Sequence, residues 1–192
     1  VARTPILSIF KNIKAPRIYY PHPDGRMEKI SVIIVNWNVA ESFSRCIRSV
    51  LDTKYPDFEL ILIDNNSEAK PVFPKDKRVY FIQNDSNIGL PRAWNQGLQR
   101  ASGDYILILN PDTRLPKDFF VKMINFCKSH PDAGVVGPKF TDPDGTSQGS
   151  VFHEPSIFGS NQKYTPVNRE PITVNAISGA CMFLPKTTIM KI

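Results

Sequence analysis

The chain has 192 residues, of which 41% are hydrophobic and 22% charged, a composition typical of a soluble globular domain with one core. It contains no apolar run near the roughly 20 residues that a membrane-spanning helix needs, and no signal peptide. Most of the formal net charge of +6 lies before Met27, where five basic residues stand against one Asp. The remaining chain carries only +2 of the +6, which argues against a nucleic-acid-binding surface.

Residues 1–26 are predicted to be a leader that precedes a domain of residues 27–192. The leader contains four prolines and no sustained hydrophobic period, and Met27 directly precedes the first regular strand. We expect it to be poorly ordered, or to derive from upstream of a natural start at Met27. The alternative is an interfacial membrane anchor that combines basic residues with the apolar side chains of Ile6, Leu7, Ile9 and Phe10.

From residue 30 onward, buried strands alternate with amphipathic helices. Apolar and β-branched runs predict strands at residues 30–35, 58–63, 78–82, 104–109 and 134–137. Apolar spacings of three and four, together with prolines at first-turn positions, predict helices over residues 43–51, from Pro91 to Leu98, and from Pro116 onward. This alternation indicates an α/β fold in which helices flank a mostly parallel central sheet.

The last quarter of the chain has a different character. Residues 141–171 are polar and rich in proline, and we expect a mobile loop over the acceptor side; the alternative is an ordinary surface excursion. Residues 173–184 are predicted to form a strand region that is interrupted at residues 178–180. Pro185 could begin a helix, but the chain ends within about two turns, at Ile192, so we expect a domain truncated at its C-terminus.

Several common active-site patterns are absent from the sequence. The three cysteines, Cys46, Cys127 and Cys181, have neither CxxC nor zinc spacing, and reduced structural thiols are expected in a cytoplasmic protein. The sequence has no GxGxxG after the first strand, no GxxxxGK[ST] and no GxSxG. A Rossmann dehydrogenase, a P-loop NTPase and an α/β-hydrolase are therefore disfavoured.

Polar residues follow each predicted strand at its carboxyl end, where open α/β sheets bind ligands. Trp37 could stack on a base, Asp64 could accept the N–H of a pyrimidine, and Asp112 could hold a divalent cation that bridges a diphosphate. The same residue types end strands everywhere because they form turns. Composition alone therefore indicates no more than a ligand-binding α/β domain.

Several motifs in register resemble those of family 2 glycosyltransferases, which have the GT-A fold. The similarity extends from Ile30 to about Leu184, and the motif containing Asn110 and Asp112 resembles a DxD variant of rhamnosyltransferase-like members. The matching segments are Ile30-Ser31-Val32-Ile33-Ile34-Val35-Asn36-Trp37-Asn38, Ile63-Asp64-Asn65-Asn66-Ser67, Asn87-Ile88-Gly89, Leu109-Asn110-Pro111-Asp112-Thr113 and Ser178-Gly179-Ala180-Cys181.

The resemblance implies a role for each matching residue. Val35, through its backbone, and Trp37 would line the binding site for the base, and Asp64 would form a hydrogen bond with the base. The rest of the nucleotide sugar would be bound by Asn87, Gly89 and Asn110. Asp112 would bind Mg²⁺ or Mn²⁺ together with the donor diphosphate. Because Asn110 replaces the first carboxylate of the motif, the diphosphate must supply much of the charge that holds the cation.

The resemblance also implies an activity, namely inverting transfer of a sugar from a nucleotide-diphosphate donor. The donor would be dTDP-rhamnose or a UDP-sugar, and the acceptor a glycan or lipid-linked sugar in cell-surface polysaccharide synthesis. We expect a cytoplasmic enzyme with peripheral association at the inner face of the membrane. The general base is expected beyond Ile192; the alternative is a truncated, non-catalytic module that only binds the nucleotide sugar.

Overall fold

The computed structural model describes residues 6–9, 25–152, 163–164 and 171–191. Within these residues the chain forms thirteen strands and four helices. The strands are β1 (Ile6–Ile9), β2 (Ile30–Asn36), β3 (Phe58–Asp64), β4 (Val79–Gln83), β5 (Tyr105–Leu109), β6 (Val135–Pro138), β7 (Phe140–Thr141), β8 (Ser147–Gln148), β9 (Val151–Phe152), β10 (Lys163–Tyr164), β11 (Ile172–Val174), β12 (Ala176–Ile177) and β13 (Cys181–Pro185). The helices are α1 (Ala40–Leu51), α2 (Leu90–Arg100), α3 (Phe119–Ser129) and α4 (Lys186–Ile189).

An eight-stranded mixed sheet forms the centre of the molecule, in the order β11-β1-β6-β13-β5-β2-β3-β4. The run β5-β2-β3-β4 is parallel throughout, and β1 pairs parallel to β6. Strand β13 runs antiparallel to β5 and β6, and β11 runs antiparallel to β1. The carboxyl ends of β5, β2, β3 and β4 therefore lie along one edge of the sheet. Two smaller sheets, β10-β9-β12 and β7-β8, complete the described strands.

Both faces of the sheet are covered, because β2 buries all seven of its residues. Alternate residues of β2 point to opposite faces, as expected for a strand. Ile30, Val32 and Ile34 belong to a core with residues of α1 and α3, whereas Ile33 and Val35 belong to a second core with Ala93 of α2. The predicted α/β architecture with a mostly parallel sheet is thus confirmed. None of the helices in the described part of the chain is long and apolar enough to cross a bilayer.

Three details differ from the sequence-based predictions. Helix α3 begins at Phe119 rather than at Pro116, because the Phe119 amide donates to the Pro116 carbonyl at 3.0 Å in a turn that precedes the helix. Residues 141–171, predicted to be a loop, contain the short strands β8, β9 and β10 among their described residues, and positions 153–162 and 165–170 lie outside the described part of the chain. Within the predicted leader, residues 6–9 form β1 in the central sheet. The leader's other apolar candidate, Phe10, lies outside the described residues, and the proposed domain boundary at residue 27 stays a prediction.

At the amino ends of the strands, the Glu59 carboxylate ties together β2, β3 and the loop before β5. Its Oε1 accepts from Ser31 Oγ at 2.6 Å and from the Ser102 amide at 2.7 Å, and Lys29 Nζ lies 3.0 Å from Oε2. Burial alone would raise the pKa of Glu59, but these hydrogen bonds lower it to about 2. This edge of the sheet is therefore closed by satisfied polar groups, whereas the opposite edge carries the candidate ligand site.

Gly97 brings α2 close to β2. A Cβ added at Gly97 would lie 2.5 Å from Cγ2 of Ile33, which is fully buried. We predict that Gly97→Ala lowers the free energy of unfolding by about 1–3 kcal/mol, since a well-packed core resists an added methyl group. Urea denaturation followed by circular dichroism measures the change. Gln99→Ala, on the exposed face of the same helix, serves as the control, and equal stability of the two variants would contradict the close packing.

Candidate functional site

The last residues of three adjacent parallel strands lie side by side at the carboxyl edge of the sheet. Asn36 of β2 pairs in register with Asp64 of β3, and Asp64 pairs with Gln83 of β4. Asn36 and Asp64 are fully buried, whereas Gln83 is exposed. A carboxylate is therefore enclosed between two amide side chains, one inside the protein and one facing solvent.

The Asp64 carboxylate accepts four hydrogen bonds from the protein. Its Oδ1 accepts from Asn36 Nδ2 at 2.7 Å and from Ser67 Oγ at 2.6 Å. Its Oδ2 accepts from the Ser67 amide at 3.0 Å and from Gln83 Nε2 at 2.8 Å. Burial alone would raise the pKa of Asp64, but these four donors outweigh it and lower the pKa below the ordinary value. The group is thus a buried anion that the loops around it hold in its charged form.

Asn36 and Ser67 connect this carboxylate to the two turns that follow β2 and β3. The Asn36 amide donates to Ser67 Oγ at 2.9 Å as well as to Asp64, and its own Oδ1 is buried without a partner among the described residues. The Asn38 amide donates to Ser67 Oγ at 3.0 Å. Asn38 and Asn66 both adopt positive φ, at 57° and 63°, a conformation that asparagine tolerates better than most residues. These bonds fix the backbone on both sides of Trp37.

A second amide network holds the segment between β4 and α2. Asn65, which is 2% exposed, donates to Asn87 Oδ1 at 2.6 Å, and its Oδ1 accepts the Ile88 amide at 3.2 Å. The Gly89 amide also donates to Asn87 Oδ1, at 2.9 Å. Gly89 has a φ of 82°, which suits glycine, and it directly precedes α2. Asn65, which follows Asp64 in the chain, thus positions Asn87, and Asn87 in turn positions the Gly89 amide.

The turn after β5 carries Asn110 and Asp112 and is tied to the turn before β13. The Asn110 amide donates to the Ala180 carbonyl at 2.9 Å, and Thr113 Oγ1 donates to the same carbonyl at 3.4 Å. The Cys46 thiol of α1 donates to the Asn110 carbonyl at 3.5 Å. Two motifs about 70 residues apart in sequence, at residues 109–113 and 178–181, are therefore neighbours at the same edge as Asp64.

The structure gives each predicted site residue a definite environment. Trp37 is 56% exposed directly beyond Asn36, and the Asp112 side chain is also exposed. The Val35 side chain is buried in the core, so the predicted role of this residue through its backbone stays a prediction. Asp64, in contrast, is 0% exposed and already accepts four hydrogen bonds.

Sequence reasoning assigned no role to four polar partners of the site, namely Asn36, Asn65, Ser67 and Gln83. Two of them end their strands, so aligning the predicted strand ends would have placed Asn36 and Gln83 beside Asp64. Asn65 and Ser67 could be recognised only from their contacts, because Asn66 between them is an ordinary turn residue with positive φ. The cysteines are free and buried, and burial raises the pKa of the Cys46 and Cys127 thiols to about 12, as suits structural thiols.

A metal at Asp112 would have one protein carboxylate as its ligand. Among the described residues, no group of three or more His, Cys, Asp or Glu side chains could hold a metal ion. Mg²⁺ in nucleotide sites is nevertheless commonly bound by one or two carboxylates plus substrate phosphates and waters. The exposed Asp112 carboxylate fits that kind of shared site and does not fit a site built from protein ligands alone.

The family model described as "Glycosyl transferase family 2" matches residues 31–188 of the chain. The chain is similar to the poly-beta-1,6-N-acetyl-D-glucosamine synthase of Staphylococcus epidermidis, with 32% identity over 116 residues, 58% of this chain and 28% of that protein. The Staphylococcus aureus enzyme of the same name is 27% identical over 180 residues, which cover 86% of this chain and 42% of that protein. The chain therefore spans less than half the length of these relatives.

A solved structure confirms the GT-A-like fold. The mannosyltransferase PcManGT from Pyrobaculum calidifontis, in complex with GDP-Man and Mn²⁺, superposes with a TM-score of 0.51 at 19% sequence identity. The superposition covers 68% of this chain and 40% of that one. At this identity the likeness shows the fold and leaves the ligands of this chain open.

The buried anion at Asp64 makes a prediction about stability and pH. In Asp64→Asn, one of the two acceptor oxygens becomes an NH₂ group. This NH₂ group faces hydrogen-bond donors of the protein and cannot accept from them. We expect the substitution to lower the free energy of unfolding by about 1–3 kcal/mol at pH 7. Because the folded-state pKa lies below the unfolded value, this stabilisation is fully present above about pH 4 and is lost as the pH falls through the folded pKa.

Urea titrations of the wild type and Asp64→Asn between pH 7 and pH 3 test this expectation. The difference in unfolding free energy between the wild type and Asp64→Asn should be constant from pH 7 to about pH 4. Below about pH 4 this difference should become smaller. Asp85→Asn, an exposed carboxylate just after β4, is the matched control. A difference that does not depend on pH would show that the carboxylate charge is not what the network stabilises.

Proposed function

We propose that this chain, which belongs to glycosyltransferase family 2, binds a uridine or thymidine diphosphate sugar at the carboxyl edge of its sheet and transfers the sugar with inversion. The acceptor would be a glycan or a lipid-linked sugar in cell-surface polysaccharide synthesis. The observation that carries the proposal is the meeting of an exposed Trp37, a buried Asp64 and an exposed Asp112 on adjacent strand exits. A donor of the dTDP-rhamnose type remains a prediction from the motif that contains Asn110.

The base would bind at the exits of β2 and β3. Trp37 presents a large aromatic ring, 56% exposed, beside this polar network, where a base could cover it. Stacking on a base buries such a ring, and base–aromatic stacking contributes about 1–3 kcal/mol where it has been measured in nucleic-acid complexes. Asp64 lies one residue below that ring in the strand register and offers a charged acceptor for the imide N–H of uracil or thymine.

The diphosphate would then extend toward β5, the strand next to β2. Asn87 and Gly89 lie along the loop that enters α2, and Asn110 lies on the turn after β5. Asp112 would hold a Mg²⁺ or Mn²⁺ ion, which supplies positive charge that stabilises the departing nucleoside diphosphate. The protein residues would bind and orient the donor so that an acceptor hydroxyl can attack the anomeric carbon from the opposite side.

The stacking role predicts a specific loss of affinity. Trp37→Ala should weaken binding of UDP and dTDP about five- to a hundredfold, because it removes the ring on which the base stacks. Isothermal titration calorimetry with Mn²⁺ measures the affinity, and Trp37→Phe should recover most of it. Unfolding midpoints of the unliganded variants should match the wild type, since Trp37 contributes little to the core. Unchanged nucleotide affinity in Trp37→Ala would refute the stacking site.

The metal role predicts that cation and nucleotide bind as one unit. Asp112→Asn should abolish the part of UDP binding that depends on Mn²⁺ and leave the stability of the unliganded fold unchanged, since Asp112 is exposed. Calorimetry in Mn²⁺ and in EDTA, for the wild type and the variant, separates the two contributions. Asp118→Asn provides a control at another exposed carboxylate. If the wild type bound UDP equally well in EDTA, Asp112 would be no more than a turn residue.

A further inference from the structure

The four hydrogen bonds on Asp64 pose a question about how a nucleotide can reach it. Each carboxylate oxygen accepts two bonds, so the lone-pair positions of Asp64 are filled in the unliganded protein. A ligand N–H can bind only if one of the present donors leaves. The identity of that donor decides which oxygen the ligand meets and how strongly the protein itself competes with the ligand.

Three of the four donors are poorly placed to leave. Asn36 is fully buried and also donates to Ser67. The Ser67 amide belongs to the backbone of a turn, and Ser67 Oγ also accepts hydrogen bonds from Asn36 and from the Asn38 amide. Displacing any of these would break the turns that support Trp37.

Gln83 differs from the other donors in its exposure to solvent and in its position outside the turns that support Trp37. It is exposed, it is the last residue of the edge strand β4, and its side chain can rotate into solvent. Its amide reaches Asp64 Oδ2 at 2.8 Å and the neighbouring Asn84 carbonyl at 3.2 Å. Among the described residues, no donor bonds the Gln83 Oε1 atom. The Gln83 amide is therefore the one donor on Asp64 that can move without disturbing the fold.

We infer that Gln83 is an internal competitor for the base, holding the position on Asp64 Oδ2 that the imide N–H of the nucleotide takes when it binds. This inference rests on the proposed function and adds a residue that sets affinity. The freed oxygen offers one acceptor position, because Oδ1 stays bonded to Asn36 and Ser67. A base with a single imide N–H, uracil or thymine, matches that position, and guanine, which presents two adjacent N–H donors, does not.

Removing the Gln83 amide from the site is expected to strengthen nucleotide binding. In Gln83→Ala and in Gln83→Met, which keeps the length of the side chain but has no donor, Oδ2 is open to water before the nucleotide arrives. The nucleotide then displaces water instead of an internal hydrogen bond. We expect UDP to bind about two- to tenfold more tightly to both variants than to the wild type.

Calorimetric titrations with Mn²⁺ test this with UDP and with N3-methyl-UDP, which lacks the imide N–H. Gln99→Ala, at an exposed glutamine of α2, is the matched control and should leave both affinities unchanged. In the Gln83 variants, UDP should bind more tightly while N3-methyl-UDP keeps its wild-type affinity. Thermal unfolding of the unliganded proteins reports whether the variants fold, and two different substitutions guard against a local defect in one of them.

The outcomes separate the inference from the function on which it rests. Unchanged or weaker UDP binding in both Gln83 variants, with normal binding by the wild type, would overturn the inference and leave the proposed function in place. An equal gain for UDP and N3-methyl-UDP would also overturn it, because the gain would not depend on the imide N–H. Failure of the wild type to bind any nucleoside diphosphate would overturn the proposed function and the inference together.

Discussion

The candidate site depends on one interaction, the enclosure of the Asp64 carboxylate between the ends of three parallel strands. A buried charge is costly unless hydrogen bonds compensate it, and here four donors from β2, β4 and the Ser67 turn converge on it. The same bonds that keep the carboxylate ionised also fix the backbone around Trp37. Charge, turn geometry and aromatic exposure at this edge are therefore consequences of a single buried group.

The rest of the edge is assembled outward from the same residues by amide side chains. Asn65, adjacent to Asp64 in the chain, holds Asn87, and Asn87 holds the amide of Gly89 at the start of α2. Asn84 and Gln96 exchange two hydrogen bonds at 3.0 and 2.9 Å and join the end of β4 to α2. Neutral amides can supply both donors and acceptors without adding charge, which suits the diphosphate that we propose this surface binds.

The sequence predicted the fold well because period and burial are local properties of each segment. The β-branched run of residues 30–35 and the apolar spacing of α1 determine strand and helix directly, and both were placed within a few residues of their observed bounds. Structure that depends on tertiary contacts leaves no such local signal. Strand β1 gains its structure from pairing with β6 and β11, and no local pattern indicates that pairing.

The site shows the same division between local and tertiary information. Asp64, Trp37 and Asp112 could be named from strand exits, because parallel strands end at a common edge. The saturation of Asp64 could not be foreseen, since it depends on the register that brings Gln83 of β4 beside β3. Asn66 forms a turn and Asn65 forms part of the site, although both are asparagines at adjacent positions. Only their hydrogen bonds and backbone conformations distinguish them.

The charge balance of this edge is compatible with the metal-dependent donor site that we propose at Asp112. Asn110 is held through its backbone, by the Ala180 carbonyl and the Cys46 thiol, so its position in the turn does not require a charged side chain. A second carboxylate there would attract a cation more strongly but would also repel the diphosphate in its absence. The Asp64 carboxylate is compensated by its four donors. The exposed Asp112 carboxylate, in contrast, makes no hydrogen bond or ion pair within the described part of the chain. Cation and diphosphate then each complete the other's binding site, and neither is expected to bind tightly alone.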